Sequence, residues 1–164
     1  MHDVSKTLTP HNEGHNRLFS RVSLKSCDYF NIFTKYIGDQ ENRMRLFIAD
    51  GNSSVRLSLQ MCLQQEPGLY VTGMASEAEG LSAQIAASRP DVLLLDSHLP
   101  GASMQGLLSE IRGLESPPKI VVLSIKPEDK EPAISAGADA FISKNSPPEE
   151  LLEVVRTVRE TTVK

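Results

Sequence analysis

The chain has 164 residues, of which 40% are hydrophobic and 23% charged, a balance typical of one globular domain with a tail. The net charge of −4 argues against a basic surface for direct nucleic-acid contact, and two cysteines are too few for a disulfide framework or a cysteine metal cluster. Without a secretory signal pattern or an apolar run of about 18 residues, the sequence predicts a cytoplasmic protein with no transmembrane helix.

Residues 1–43 are rich in Ser, Asn, His, Lys and Thr and show little hydrophobic periodicity. Such a segment predicts a disordered or loosely docked N-terminal extension. Met44 directly precedes the first apolar run, which makes it a candidate for the native start of translation. Residues 44–164 are therefore predicted to form the folded domain.

The first half of this domain alternates between strand and helix patterns. The apolar run Arg45–Asp50 predicts a strand, and the helical spacing of apolar residues in Ser53–Gln65 predicts a helix. Ser53 or Ser54 is expected to cap this helix, and Cys62 is expected to be a buried small side chain. A second strand is predicted over Tyr70–Ala75. The helix that follows, over 77–88, is expected to bury Ala78, Leu81, Ile85 and Ala86.

The second half continues the alternation. Four consecutive apolar residues in Asp91–Asp96 (DVLLLD) are typical of a strand that is buried on both faces of a parallel sheet. The strict alternation predicts a doubly wound α/β fold with five parallel strands and right-handed crossovers. The remaining predicted elements are a helix marked by Leu107, Leu108, Ile111 and Leu114, a strand over Lys119–Ser124, a short helix over Glu128–Ala136, a strand over Ala140–Lys144 and a helix over Pro147–Val163.

Polar residues stand at the carboxyl ends of four predicted strands. Asp50 ends the first, Asp96 the third, Ser124 the fourth and Lys144 the fifth. Taken alone, an aspartate in this position is most often a cap or turn residue. Ligands of open parallel sheets bind at the carboxyl ends of the strands, so the joint occurrence of these four side chains predicts one functional rim.

From Met44 onward the sequence resembles the receiver domains of two-component response regulators. The resemblance rests on the stretches RLFIADGN, RPDVLLLDSHLPG, KIVVLS and SAGADAFISKNSPPEELLEVVR, in this order and spacing. It implies a flavodoxin-like (βα)5 fold with strand order 2-1-3-4-5. It also implies a signalling protein, not an enzyme, that takes a phosphoryl group from a sensor histidine kinase or a phosphotransfer protein. Homodimer formation is a further possibility that the family suggests.

The same resemblance implies a role for each residue at the rim. Asp96 matches the phospho-acceptor, Ser124 the hydroxyl that binds the phosphoryl group and Lys144 the cation that pairs with it. Phe141 matches the aromatic side chain that turns inward on activation. The implied Mg²⁺ ligands are Asp50, Asp96 and the backbone carbonyl of His98.

Three departures from the family pattern leave two interpretations open. Gly51 stands where the family has the second acid of a pair, and this predicts weak Mg²⁺ binding. The connection from Ser124 to Lys144 is about two residues shorter than usual and contains two prolines, and Asn145 replaces a common proline. Either Asp96 is still phosphorylated, or the chain is a degenerate receiver that binds partners without phosphate.

Overall fold

The computed structural model describes residues 43–160. The predicted N-terminal extension and the predicted end of the last helix at Val163 lie outside the described residues, and the boundary at Met44 stays a prediction. Within residues 43–160, no helix is both long and apolar enough to cross a membrane.

Five parallel strands form one sheet in the order β2-β1-β3-β4-β5, which confirms the predicted fold and strand order. The central strand β3 pairs with β1 on one side and with β4 on the other. Asp96 pairs with Leu123, so the residue that follows Leu123 also lies at the carboxyl edge beside Asp96. The strands are β1 Met44–Ala49, β2 Leu69–Ala75, β3 Val92–Asp96, β4 Lys119–Ser124 and β5 Ala140–Ser143.

Five α-helices connect and follow the strands, and a short 3-10 helix precedes the fourth of them. The fourth helix has only six residues, and Pro132 lies within it. The predicted short helix over Glu128–Ala136 is therefore part 3-10 and part α. The helices are α1 Ser53–Gln64, α2 Leu81–Ser88, α3 Met104–Arg112, the 3-10 helix Pro127–Asp129, α4 Lys130–Ser135 and α5 Pro148–Glu160.

The sheet separates two apolar cores, because side chains of successive strand residues point to opposite faces. In β1, Phe47 packs on the face covered by α2, α3 and α4, whereas Leu46 and Ile48 pack on the face covered by α1 and α5. Strand β3 has no exposed residue, as its apolar run predicted. Burial on both faces fixes the register of the strands and hence the positions of the side chains at their ends.

The structure corrects three details of the sequence interpretation. Asn52, not Ser53 or Ser54, caps α1, and its side-chain oxygen accepts hydrogen bonds from the backbone nitrogens of Ser54 and Val55. Helix α2 begins only at Leu81, because the preceding Gly80 adopts a φ of 70°. The buried face of this helix is formed by Leu81 and Ile85. Ala86 lies outside that face and is exposed, so the expectation that it is buried is wrong.

Cys62 is half-buried, which differs from the buried position that its helical spacing predicted. It lines a cavity of about 340 Å³ between α1, α5 and the ends of β4 and β5. The opening between the two helices leaves the thiol partly accessible, and burial raises its pKa, with smaller contributions in the same direction from Glu66 and Glu149.

Gly73 allows a close approach of β1 and β2. The pairing of the two strands shifts by one residue between Leu46 and Phe47, and a Cβ atom on Gly73 would lie 2.4 Å from Cε2 of Phe47. Phe47 is only 2% exposed and has no room to move away. This strand position therefore requires a residue without a side chain.

We expect Gly73→Ala to lower the free energy of unfolding by about 2 kcal/mol, because the added methyl group overpacks the core against Phe47. Urea denaturation at neutral pH measures the change. In the double variant with Phe47→Leu, the cost of Gly73→Ala should fall, since the ring atoms that it meets are gone. Equal costs in the two backgrounds would contradict this explanation.

Candidate functional site

The carboxyl ends of β1, β3 and β4 bring three polar side chains into the interior of the domain. Asp50 is 0% exposed, Asp96 9% and Ser124 1%. The backbone nitrogen of Lys144 donates to the Ser124 carbonyl at 2.8 Å, and this bond carries the β4–β5 ladder one residue further. The four residues that the sequence placed at a common rim are thus at the same edge of the sheet.

Lys144 joins the two aspartates. Its Nζ lies 2.6 Å from Oδ2 of Asp50 and 3.0 Å from Oδ1 of Asp96, and its side chain is 16% exposed. Asp50 accepts a second hydrogen bond at Oδ1 from the backbone nitrogen of Asn52, at 2.8 Å. One cation therefore neutralises part of two negative charges, and Asp50 fixes the position of that cation beside Asp96.

The two carboxylate oxygens of Asp96 differ in their surroundings. Oδ1 contacts Lys144 and also accepts a hydrogen bond from the backbone nitrogen of His98 at 3.1 Å. Oδ2 has no hydrogen-bond partner within residues 43–160. Every fully buried side-chain oxygen or nitrogen in this range has such a partner, so Oδ2 is not one of the buried atoms. Oδ2 is therefore not fully enclosed, although the Asp96 side chain is only 12% exposed, and it is the carboxylate oxygen that an electrophile can reach.

Ser124 does not point its hydroxyl at Asp96. Its Oγ donates to Oδ2 of Asp129 at 2.5 Å, and Ser97 Oγ donates to the same oxygen at 2.8 Å. The hydrogen bond from Ser124 lowers the pKa of Asp129, and Ser97, His98 and Lys126 act in the same direction against burial. Asp129 is thus ionised at neutral pH and accepts hydrogen bonds from two hydroxyls.

His98 extends this network at the surface. Its Nδ1 lies 2.7 Å from Ser97 Oγ and its Nε2 lies 3.4 Å from Lys126 Nζ. Since the single hydroxyl hydrogen of Ser97 points to Asp129, Ser97 Oγ accepts from Nδ1 of His98. The side chain is 54% exposed, as expected for a residue at the rim.

Phe141 is half-buried and packs against the core on the side of α2, α3 and α4. It pairs with Val122 in the sheet, two residues before Ser124. The peptide bond between Lys144 and Asn145 is trans, since residues 43–160 contain no cis bond.

The residues at the rim do not form a complete Mg²⁺ site. Within residues 43–160, no three His, Cys, Asp or Glu side chains cluster in a way that could hold a metal ion. Both oxygens of Asp50 are engaged, so only Oδ2 of Asp96 is an uncommitted carboxylate oxygen of the pair. Gly51 adds no donor, and a Cβ atom there would lie 3.0 Å from Cδ of Pro100. The rim therefore offers one free carboxylate oxygen, and the backbone carbonyl of His98 and several waters would have to supply the other ligands of a six-coordinate Mg²⁺.

Sequence reasoning missed Asp129 as a member of this rim, whereas Ser97 lies at the end of the third predicted strand. It also missed Arg56, whose Nη1 donates to the Asp50 carbonyl at 2.6 Å and holds the loop between β1 and α1. The one signal for Asp129 was the shortened connection after β4, which brings an acid close to Ser124. Arg56 carried no distinctive signal.

Comparison of the sequence with family models gives a match to the response regulator receiver domain over residues 46–156. The oxygen regulatory protein NreC of Staphylococcus epidermidis is 33% identical over 119 residues, which are 70% of this chain and 54% of that protein. A protein-glutamate methylesterase/protein-glutamine glutaminase of Cereibacter sphaeroides is 39% identical over 112 residues, or 65% of this chain and 30% of that enzyme. The chain thus spans about half or less of the length of these relatives.

Two solved structures share the fold. A two-component response regulator of the LuxR family from an Aurantimonas species superposes with a TM-score of 0.68 and 22% identity, covering 73% of this chain and 86% of that one. The response regulator domain of Thermotoga maritima CheB gives a TM-score of 0.66 and 21% identity over 72% of this chain and 97% of that domain. At these identities, the two structures support the architecture alone.

Proposed function

Because the chain belongs to the response regulator receiver domain family, we propose that it accepts a phosphoryl group on Asp96 and switches a protein-interaction surface in response. The observation that carries this proposal is the arrangement of Asp96, with one oxygen held by Lys144 and the other open to solvent. A carboxylate with one exposed oxygen and an adjacent fixed cation suits phosphoryl acceptance.

In the proposed reaction, Oδ2 of Asp96 attacks the phosphorus of a phosphohistidine on a sensor histidine kinase or a phosphotransfer protein. A P–O bond forms to Asp96, the P–N bond breaks and the imidazole leaves with the electron pair. Lys144 neutralises charge that builds up on the transferred group, while Asp50 keeps its ammonium in position. The phosphoryl group ends on the chain itself, so the proposed role is that of an acceptor and not of an enzyme.

The proposed response involves the connection between β4 and β5. A phosphoryl group adds nearly two negative charges beside Lys144 and offers Ser124 a strong acceptor. Movement of Ser124 would leave space for Phe141 to turn inward. The surface that would change carries Ile125 and Ile134, which are 62% and 45% exposed. Candidate partners are the phosphodonor, a downstream protein and a second copy of the chain. The proposal also includes a cytoplasmic location, as the family resemblance implies.

Incubation with acetyl phosphate tests the acceptor. We expect intact-mass spectrometry to detect a species heavier by about 80 Da, the mass of a phosphoryl group. Asp96→Asn should abolish this species, because an amide oxygen does not form the acyl phosphate. Asp91→Asn is the matched control, since Asp91 binds Arg45 at the opposite end of β3 and should leave labelling intact.

Labelling that persists in the Asp96→Asn variant would assign the phosphoryl group to another residue. No labelling of the unaltered chain by acetyl phosphate or by a kinase would favour the second interpretation, a degenerate receiver that binds partners without phosphate. Omitting Mg²⁺ should slow labelling only modestly, because the donor set at the rim is incomplete.

A further inference from the structure

Asp129 has a side chain whose contacts differ from those expected at its position. It is the residue that precedes α4, where an aspartate normally accepts hydrogen bonds from the first backbone nitrogens of the helix. Its side chain makes no such capping bond. The carboxylate turns instead toward the sheet and accepts hydrogen bonds from the hydroxyls of Ser124 and Ser97.

The turn that carries Asp129 is closed by hydrogen bonds of its own. Ser124 Oγ accepts from the backbone nitrogen of Lys126 at 3.0 Å, and the backbone nitrogen of Asp129 donates to the Lys126 carbonyl at 3.2 Å. Pro127 begins the 3-10 helix with a fixed φ. Because only four residues separate Ser124 from Asp129, the chain folds back and presents the carboxylate to the serine at the strand end.

The contacts of the network do not fit a nucleophilic triad. In such a triad the acid binds the histidine and the histidine takes the serine proton. Here Ser97 and Ser124 both donate to Asp129, whose Oδ2 lies 3.5 Å from Nδ1 of His98. The network therefore does not activate a hydroxyl, and its one strong acceptor is the carboxylate of Asp129.

We propose that Asp129 is a positioning residue that holds Ser124 in the resting state and competes with the phosphoryl group on Asp96 for its hydroxyl. This inference rests on the proposed function of Asp96. Ser124 has one hydroxyl hydrogen, and in the structure it forms a hydrogen bond to Asp129. Ser124 binds the phosphoryl group only after it leaves Asp129, and the release frees the 3-10 helix and α4 to move.

Phosphorylation acts on this contact in two ways. The phosphoryl oxygens are acceptors at least as strong as the carboxylate, so they draw the Ser124 hydroxyl away. Their negative charge also repels Asp129, which is hydrogen-bonded to Ser97, the residue that follows Asp96. Both effects break a contact that stabilises only the resting state. Loss of the Asp129 carboxylate removes the same contact, so it should shift the chain toward the switched state without phosphate.

Asp129→Asn tests this inference, with the methyl signals of Ile125 and Ile134 in NMR spectra as a report on the connection. In the unphosphorylated variant, these signals should move toward the positions that they take in the acetyl-phosphate-treated parent chain. The ratio of switched to resting protein should rise by about tenfold, the value of one hydrogen bond to a charged group. The rate of acetyl phosphate labelling should rise in the same direction.

Two further variants separate the contact from a general effect of charge. Glu128→Gln removes an exposed negative charge one residue away and should leave both the methyl signals and the labelling rate unchanged. Ser97→Ala keeps the charge of Asp129 and removes one of its two hydroxyl donors. It should produce a smaller change in the same direction as Asp129→Asn, and it provides the test if Asp129→Asn does not fold.

The outcomes distinguish this inference from the proposed function. If the parent chain is labelled on Asp96 but Asp129→Asn and Ser97→Ala leave the methyl signals unmoved, the inference is wrong and the acceptor role stands. The inference is also overturned if the parent chain takes up no phosphoryl group from any donor, because Asp129 would then have no competitor. Labelling together with a graded shift in the two variants supports it.

Discussion

Substitution of Lys144 by methionine is expected to lower the free energy of unfolding by about 3 kcal/mol, because it leaves a buried carboxylate without its cation. Asp50 is 0% exposed, and Lys144 is the partner of its Oδ2 at 2.6 Å. Methionine keeps most of the length and apolar volume of the lysine, so the effect isolates the charge. Urea denaturation at neutral pH, with circular dichroism as the signal, measures it.

The double variant Lys144→Met, Asp50→Asn supplies the decisive comparison. Removing the charge of Asp50 as well should recover part of the lost stability, since the carboxylate of Asp96 is then the one charge left without its cation. Lys130→Met is the matched control, because Lys130 is exposed and its loss should change stability by no more than about 0.5 kcal/mol. If the double variant is no more stable than Lys144→Met, the lysine contributes through something other than its charge.

Gly51→Asp should tighten Mg²⁺ binding by at least about tenfold, because it adds a carboxylate next to Asp50 and Asp96. The parent chain is expected to bind Mg²⁺ weakly, with a dissociation constant in the millimolar range or above, since its uncommitted carboxylate donor is a single oxygen of Asp96. Isothermal titration calorimetry is suitable, because the chain contains no tryptophan to report binding by fluorescence.

Gly51→Asn is the control for this gain. Both variants introduce a Cβ atom 3.0 Å from Cδ of Pro100, so both require Pro100 to move by a few tenths of an ångström. Only the aspartate adds negative charge. Equal Mg²⁺ affinities of the two variants, or sub-millimolar affinity of the parent chain, would show that the glycine does not limit metal binding.

The architecture could be predicted from the sequence because hydrophobic patterning determines it directly. The first four residues of β3 are all apolar, as expected for a strand covered on both faces, and the structure has that strand at the centre of the sheet. The rim residues Asp50, Asp96, Ser124 and Lys144 follow from the same pattern, since parallel strands end at one edge. The chemical roles assigned to them stay predictions.

The details that could not be predicted depend on contacts between distant residues. Asp129 stands at a helix start, where local preference predicts a cap, but the hydroxyls of Ser97 and Ser124 provide donors that a local pattern does not contain. Helix α2 begins later than its periodicity indicated because the chain turns at Gly80, and before this turn the backbone nitrogen of Ala78 donates to the Pro100 carbonyl. In both places a tertiary hydrogen bond overrides a local preference.

The two prolines of the β4–β5 connection have a consequence for the speed of amide hydrogen exchange. Pro127 and Pro132 carry no amide proton, and α4 is only six residues long, so few backbone bonds within this segment resist opening. Its amides should exchange with deuterated solvent well before those of β3 and β4, which lie inside the sheet. A segment that opens more readily than the central strands is then the one whose first turn the Asp129 carboxylate fastens to the end of β4.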